Sequence, residues 1–145
     1  MIALLQRVTS ANVVIDNINI AEINAGMLVF LAVQKHDTEN SAGNMQKRIL
    51  AYRMFADDND KMNKNISEVG GEILVVPQFT LAADTSKGLR PNFSSAATPD
   101  QGKCLFDYFL DKLKAEYAKV SSGKFAADMQ VHLVNDGPVT FWLEL

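Results

Sequence analysis

Gly26 is followed directly by seven consecutive apolar residues, Met27 to Val33, and no other feature restricts the fold as much. A strand sends alternate side chains to opposite faces, so a run that is apolar at every position has to be covered on both. Seven residues fall far short of the ~20 needed to cross a bilayer. The run therefore reads as the central strand of a layered domain, with no membrane role indicated.

The rest of the chain supplies neighbours for that strand. Ile2 to Val8 and Ala11 to Ile15 are rich in branched apolar residues and read as strands, with Ser10 as the expected break. Asp16 and Asn17 tolerate the left-handed backbone of a tight turn, so Val13 to Ile15 should pair with Ile18 to Glu22 as a hairpin. Gly70 and Gly71 lead into a long apolar strand from Glu72 to about Leu81. Two closing strands, Phe125 to Val134 and Val139 to Leu145, are joined through Asn135-Asp136-Gly137-Pro138.

Two amphipathic helices complete the pattern. About Thr38 to Ala56, Met45, Ile49, Tyr52 and Phe55 recur at spacings of three and four. Thr98, Pro99 and Gln101 mark a second start, as N-cap, first-turn proline and capping-box partner. The stripe expected to be buried on that helix is Leu105, Phe106, Phe109, Leu113 and Tyr117. The architecture expected is α+β: one domain over residues 1–145, with a twisted, mostly antiparallel or mixed, barrel-like sheet carrying two helices.

Composition sets further bounds. With 145 residues, 48% of them hydrophobic and 21% charged, the chain can bury a core without disulfide or metal support. Its single cysteine, Cys104, agrees with a reducing, cytoplasmic setting. The opening Met-Ile-Ala-Leu-Leu-Gln-Arg-Val puts its basic residue after a very short apolar run, the reverse of a signal peptide. A formal net charge of -3 lacks the basic footprint of a protein that tracks a nucleic-acid backbone, so any RNA contact must be local.

A conventional side-chain catalytic apparatus is not visible. His36 reads as a surface cap, His132 as a satisfied sheet residue and Cys104 as a small packing residue, none with a Ser/His/Asp or Cys/His partner in view. The acidic loop Asp57-Asp58-Asn59-Asp60-Lys61 lacks the glycine and glutamate spacing of a calcium loop, and Gly70-Gly71 is no phosphate loop. Neither metal nor cofactor is expected.

Two segments carry more than local structure needs. In Val76-Pro77-Gln78-Phe79-Thr80-Leu81 a proline interrupts an apolar strand, which implies an edge, a bulge or a strand end. A strand that stops pairing there leaves the main-chain amides of Gln78, Phe79 and Thr80 free to hold a carbonyl or developing oxyanion, with the Thr80 hydroxyl beside them. In Asn135-Asp136-Gly137-Pro138-Val139-Thr140 an Asp-Gly turn is followed by proline. A Gly-Pro bond can be cis at modest cost, and such a tip presents carbonyl oxygens in a fixed direction.

At these two segments the chain resembles the D-aminoacyl-tRNA deacylase family, and the resemblance runs from end to end. It also takes in Gln6-Arg7-Val8, Tyr52-Arg53-Met54-Phe55, Asp60-Lys61-Met62-Asn63, Gly88-Leu89-Arg90-Pro91 and Phe125-Ala126-Ala127-Asp128-Met129-Gln130-Val131. The resemblance implies a homodimer with its active site at the subunit interface, acting on the 3′-terminal adenosine ester of aminoacylated tRNA. Gln78, Phe79 and Thr80 of one subunit would hold the ester. Gly137 and Pro138 of the partner, as a Gly-cis-Pro motif, would exclude L-aminoacyl esters while D-aminoacyl and glycyl esters enter, a selectivity by rejection. Arg7 corresponds to the residue that orients this motif, and Phe125 and Met129 to positions lining the adenosine pocket.

One departure bears on mechanism. The family usually has serine where this chain has Pro77, so a hydroxyl and an amide proton are absent there. Hydrolysis is then expected to rely on main-chain groups and the substrate's own 2′-hydroxyl, with Thr80 positioning the ester. The rival version makes Thr80 a covalent nucleophile, for which no general base is visible. Lys87, Arg90 and Lys124 are the candidates for phosphate contact, and they read equally well as solvated charges. A non-catalytic RNA- or nucleotide-binding dimer and a general esterase remain as alternative functions.

Overall fold

The computed structural model describes residues 1–145. The chain runs β1 (Ile2–Ile15), β2 (Ile18–Ile23), β3 (Gly26–Ala32), α1 (Glu39–Ala51), β4 (Phe55–Ala56), β5 (Met62–Lys64), α2 (Ile66–Val69), β6 (Glu72–Pro77), a 3-10 helix (Phe79–Ala82), α3 (Pro99–Glu116), β7 (Val120–Ser122) and β8 (Gln130–Glu144).

The main sheet is mixed. β1 carries β8 antiparallel along one side, with β3 and then β2 in tandem along the other. β3, β6 and β7 continue the sheet in parallel. β2 curls back toward β7, where the Ser121 hydroxyl donates to the Glu22 carbonyl at 3.4 Å. The sheet is thus nearly closed, as a barrel-like α+β architecture requires.

The apolar run forms the central strand. Met27, Val29 and Leu31 join Leu5, Ile73 and Val75 against α1 and α3 in the larger core, while Leu28 turns the other way to meet Val8, Val13, Leu74 and Val76. Gly26 is where β3 enters against β6. A Cβ there would stand 1.9 Å from the Glu72 carbonyl oxygen, so only glycine lets the two backbones approach.

Helix α3 starts where its cap residues placed it, with the Thr98 hydroxyl accepting from the Gln101 amide and Pro99 in the first turn. The Gln101 side chain does not close a capping box. It donates instead to the carbonyls of Lys35 and Asp37 at 3.2 and 3.3 Å, tying α3 to the connection between β3 and α1. The buried stripe is as expected through Leu113, with Gly102 and Leu110 added. Tyr117 ends the helix and donates its hydroxyl to the Gly71 carbonyl.

Several expectations require correction. α1 stops at Ala51, because Tyr52 takes extended backbone and Phe55 belongs to a short hairpin of β4 and β5. β1 continues through Ser10, which pairs with Val134. The short α2 adds a third helix to the two expected, and Asn65 and Glu68 form a complete capping box around its start. β6 ends at Pro77, four residues earlier than expected. The two closing strands are one: β8 runs unbroken past Gly137 and Pro138, and residues 125–129 lie outside it as a loop. Asp16 and Asn17 do adopt the left-handed backbone of the expected turn.

Candidate active site

Pro77 acts as a strand end. Its carbonyl-side neighbour Gln78 still donates its amide to Leu31 at 2.8 Å, so the ladder extends one residue beyond the strand and the Gln78 amide is not free. Past that point the chain turns into the single 3-10 turn of Phe79–Ala82, whose bonds run from Leu81 back to Gln78 and from Ala83 back to Thr80. The amides of Phe79 and Thr80 are left without an acceptor in the chain. The Gln78 side-chain amide donates to the Thr80 hydroxyl, which fixes both groups beside those amides.

The segment opens onto a cleft of about 740 Å³. Pro77, Gln78 and Phe79 form one wall, and Phe125 and Met129 another. Phe125 is backed by Phe106 of α3, ring centroids 6.0 Å apart. Gly102 of α3 brings helix backbone up to the Phe125 ring, 3.3 Å from where a Cβ would sit. The cleft is lined mostly by apolar side chains with a few polar ones, Gln78, Thr98 and Asp128, among them, the usual make-up of a small-molecule site. Five of the nine residues expected to carry function are thereby brought together from segments about 50 positions apart.

Thr80 lies beside this wall, exposed and on the adjoining 3-10 turn. His36, His132 and Cys104 are exposed elsewhere and contribute nothing to the cleft. Its one ionisable lining side chain is Asp128, in a loop first read as strand, and no three His, Cys, Asp or Glu side chains gather to hold a metal ion.

Gly137, Pro138 and Arg7 form a separate group. Gln6 pairs with Thr140 and Val8 with Asn135, so Asp136 to Val139 have only Arg7 opposite them and bulge out of β8. Bulges of this kind re-aim a strand. The Gly137–Pro138 peptide is cis and Gly137 has φ 130°, a conformation L side chains rarely adopt. Arg7 holds the bulge: its Nε donates to the Asp136 carbonyl at 3.1 Å and approaches the Asp136 carboxylate at 3.2 Å. Its Nη1 donates to the Met54 carbonyl at 3.1 Å. Gly137 and Pro138 are exposed and lie outside the lining of the cleft in their own chain.

The loop after the 3-10 turn, residues 83–97, carries the Gly88-Leu89-Arg90-Pro91 segment. Its feet are tied down: Asp84 and Asn92 exchange backbone hydrogen bonds of 2.7 and 3.1 Å, the Ser95 hydroxyl donates to the Ala82 carbonyl, and the Lys35 amide donates to the Ser95 carbonyl. Hydrogen bonds from the Ser86 hydroxyl and amide hold the Asp84 carboxyl below the ordinary carboxylate range. Phe93, Ala96 and Ala97 from this loop line the cleft. Phe93 was not singled out in the sequence, where nothing but its place beside Pro91 and Asn92 marked it. Lys87, Arg90 and Lys124 are exposed and form no ion pair.

A family model described as D-Tyr-tRNA(Tyr) deacylase matches residues 4–144. A D-aminoacyl-tRNA deacylase of Cellvibrio japonicus is 58% identical over 145 residues, covering 100% of this chain and 99% of the relative. That of Escherichia coli K12 is 52% identical over 100% of both chains. Among solved structures, one described as the c-Myc DNA Unwinding Element Binding Protein superposes with a TM-score of 0.96 at 38% identity, covering 100% of this chain and 99% of the other. A probable eukaryotic D-amino acid tRNA deacylase shares the fold, with a TM-score of 0.89 at 17% identity over 99% and 98% of the two chains.

Proposed function

The chain belongs to the D-Tyr-tRNA(Tyr) deacylase family, and from that membership and its cleft we propose that it hydrolyses the ester joining a D-amino acid to the 3′-terminal adenosine of tRNA, releasing free tRNA and D-amino acid. Mischarged glycyl-tRNA is a substrate on the same terms. The observation that carries the reading is the pair of acceptor-less amides, Phe79 and Thr80, at one wall of an apolar cleft of about 740 Å³.

In this reading the adenosine lies between Phe125, Met129 and the Pro77 wall. The ester carbonyl faces the amides of Phe79 and Thr80. Water adds to that carbonyl, the oxyanion is held by the amides, and the tetrahedral intermediate collapses with cleavage of the bond to the 3′ oxygen, which takes up a proton. A positioned donor of this kind is worth about 3 kcal/mol in the transition state. Pro77 offers neither hydroxyl nor amide proton, and no histidine lines the cleft, so activation of the water falls to the 2′-hydroxyl of the ribose. Thr80, held by Gln78, positions the ester. A covalent role for Thr80 finds no general base beside it.

Stereochemical selection requires a rigid barrier, because mirror-image substrates offer the same atoms for attraction. The bulge at Gly137 and Pro138, clamped by Arg7, has that stiffness. Since these residues lie outside their own chain's cleft lining, the reading assigns the barrier to a second copy, with the active site at the interface of a homodimer. Main-chain carbonyls reaching in from that copy occupy the space an L side chain needs.

The test is deacylation of D-tyrosyl-, L-tyrosyl- and glycyl-tRNA. Release from the first and third with the second retained is expected; equal release from both enantiomers would defeat the barrier. A second reading, nucleic-acid binding without chemistry, draws on the 38% identical structure, that of a c-Myc DNA Unwinding Element Binding Protein. Binding with release from none of the three would favour it. Cleavage of small esters lacking adenosine would point to a general esterase.

A further inference from the structure

We propose that Phe93 is the stacking platform for the penultimate nucleotide of the substrate's single-stranded 3′ end, and that loop 84–93 thereby grips the strand behind the terminal adenosine. The inference rests on the deacylase reading and extends it to a nucleotide that reading leaves unplaced. Of the aromatic rings lining the cleft, Phe106 is fully buried and Phe125, backed by it, is half-buried. Phe79 and Phe93 line the same cleft yet are 60% and 38% exposed, so they make its rim. Their centroids are 5.2 Å apart with the rings tilted by 54°, which leaves ring surface of each toward solvent. Two large apolar side chains left exposed side by side, at the mouth of a site that takes a nucleoside, call for a ligand.

The setting of Phe93 points to which ligand. Its backbone follows the two hydrogen bonds between Asp84 and Asn92, and the Ser94 amide donates to the Asn92 side chain at 2.9 Å, so the ring is carried on an anchored stalk. The tip beyond that stalk presents Lys87 and Arg90, exposed and without ion pairs. Leu89 between them is fully exposed. Aromatic faces flanked by free cations are how proteins hold single-stranded nucleic acid without reading base edges. A terminal nucleoside seated in the cleft sends its 5′ phosphate and the next base out over the rim, to the place where Phe93 offers a face and Lys87 and Arg90 offer charge. With a net charge of -3, the electrostatic hold on the strand has to come from local contacts of this kind.

The experiment compares two substrates that share the scissile ester: D-tyrosyl-tRNA, and 3′-O-(D-tyrosyl)adenosine, which lacks the penultimate nucleotide. Steady-state constants are measured for wild type, Phe93→Ala, Phe93→Leu and Phe93→Tyr, with thermal melts confirming that each folds. For Phe93→Ala, loss of one stacked base predicts a rise in KM on tRNA of roughly 5- to 100-fold with kcat little moved. The loss on the adenosine ester should be smaller by roughly fivefold or more. Phe93→Leu should behave like Phe93→Ala, and Phe93→Tyr should restore the wild-type KM. Equal losses on both substrates, or none on tRNA, would overturn the proposal. If wild type cleaves neither substrate, the deacylase reading itself fails, an outcome distinct from a wild type that cleaves both and a Phe93→Ala that matches it.

Discussion

Arg7 shows how much a single side chain can be asked to hold. Its planar guanidinium reaches the carbonyls of Asp136 in β8 and of Met54 in the connection between α1 and β4, at 3.1 Å each. The accompanying ion pair with the half-exposed Asp136 carboxylate adds little, because solvent screens it. The two charge-assisted hydrogen bonds are the larger part, about 2 kcal/mol each. A lysine keeps the charge but has no fork to serve both carbonyls. Arg7→Lys should therefore lower the melting temperature only modestly while cutting the preference for D- over L-tyrosyl-tRNA roughly tenfold; an unaltered preference would remove Arg7 from the selection. Gly137→Ala acts on the same bulge more directly. A Cβ there would meet Val139 Cγ2 at 2.9 Å and Arg7 Nη2 at 3.2 Å, on backbone at φ 130°, so the bulge has to move and selectivity should fall with it.

At the scale of elements, the cleft is built by the ends of secondary structures rather than their middles. Pro77 ends β6, the 3-10 turn follows at once, and α3 begins at Thr98, whose hydroxyl accepts from the Gln101 amide. Because Gln101 also reaches the Lys35 and Asp37 carbonyls, the first turn of α3 is fastened to the connection between β3 and α1. Thr98→Ala should cost about 1 kcal/mol of stability, the ordinary worth of an N-cap, read from a denaturation midpoint with unchanged slope. A loss well below that would mean Pro99 and Gln101 suffice to start the helix. The helix itself was legible in Thr98, Pro99 and Gln101 because capping is local chemistry. The end of α1 was not, since Tyr52 and Phe55 continue the apolar spacing and only their packing on the sheet ends the helix.

For the whole molecule, β8 is the element that most needs a partner. It pairs with β1 alone, so the other edge of a 15-residue strand has no neighbour, and Val134 and Trp142 on it are 56% and 51% exposed. Long edges that carry apolar side chains are normally blunted or covered. A second copy covers this edge and completes the site in the proposed function. Sedimentation should then show a two-chain species at micromolar protein, with specific activity falling as the protein is diluted below the dissociation constant of the dimer. A single-chain species of full activity at every concentration would refute the shared site.

What the residues settled unaided is whatever depends on neighbours along the chain. The apolar run from Met27 to Val33 announced a strand covered on both faces, Asp16 and Asn17 a tight turn, and Pro77 a break in pairing, because each rests on backbone sterics or side-chain alternation within a few positions. Tertiary structure decided the rest, by setting distant segments side by side. It merged the two closing strands into β8, since pairing with the full length of β1 outweighs an Asp-Gly turn. It kept the Gln78 amide in the ladder through Leu31. It also brought Phe93 against Phe79, a contact between rings that no local pattern encodes.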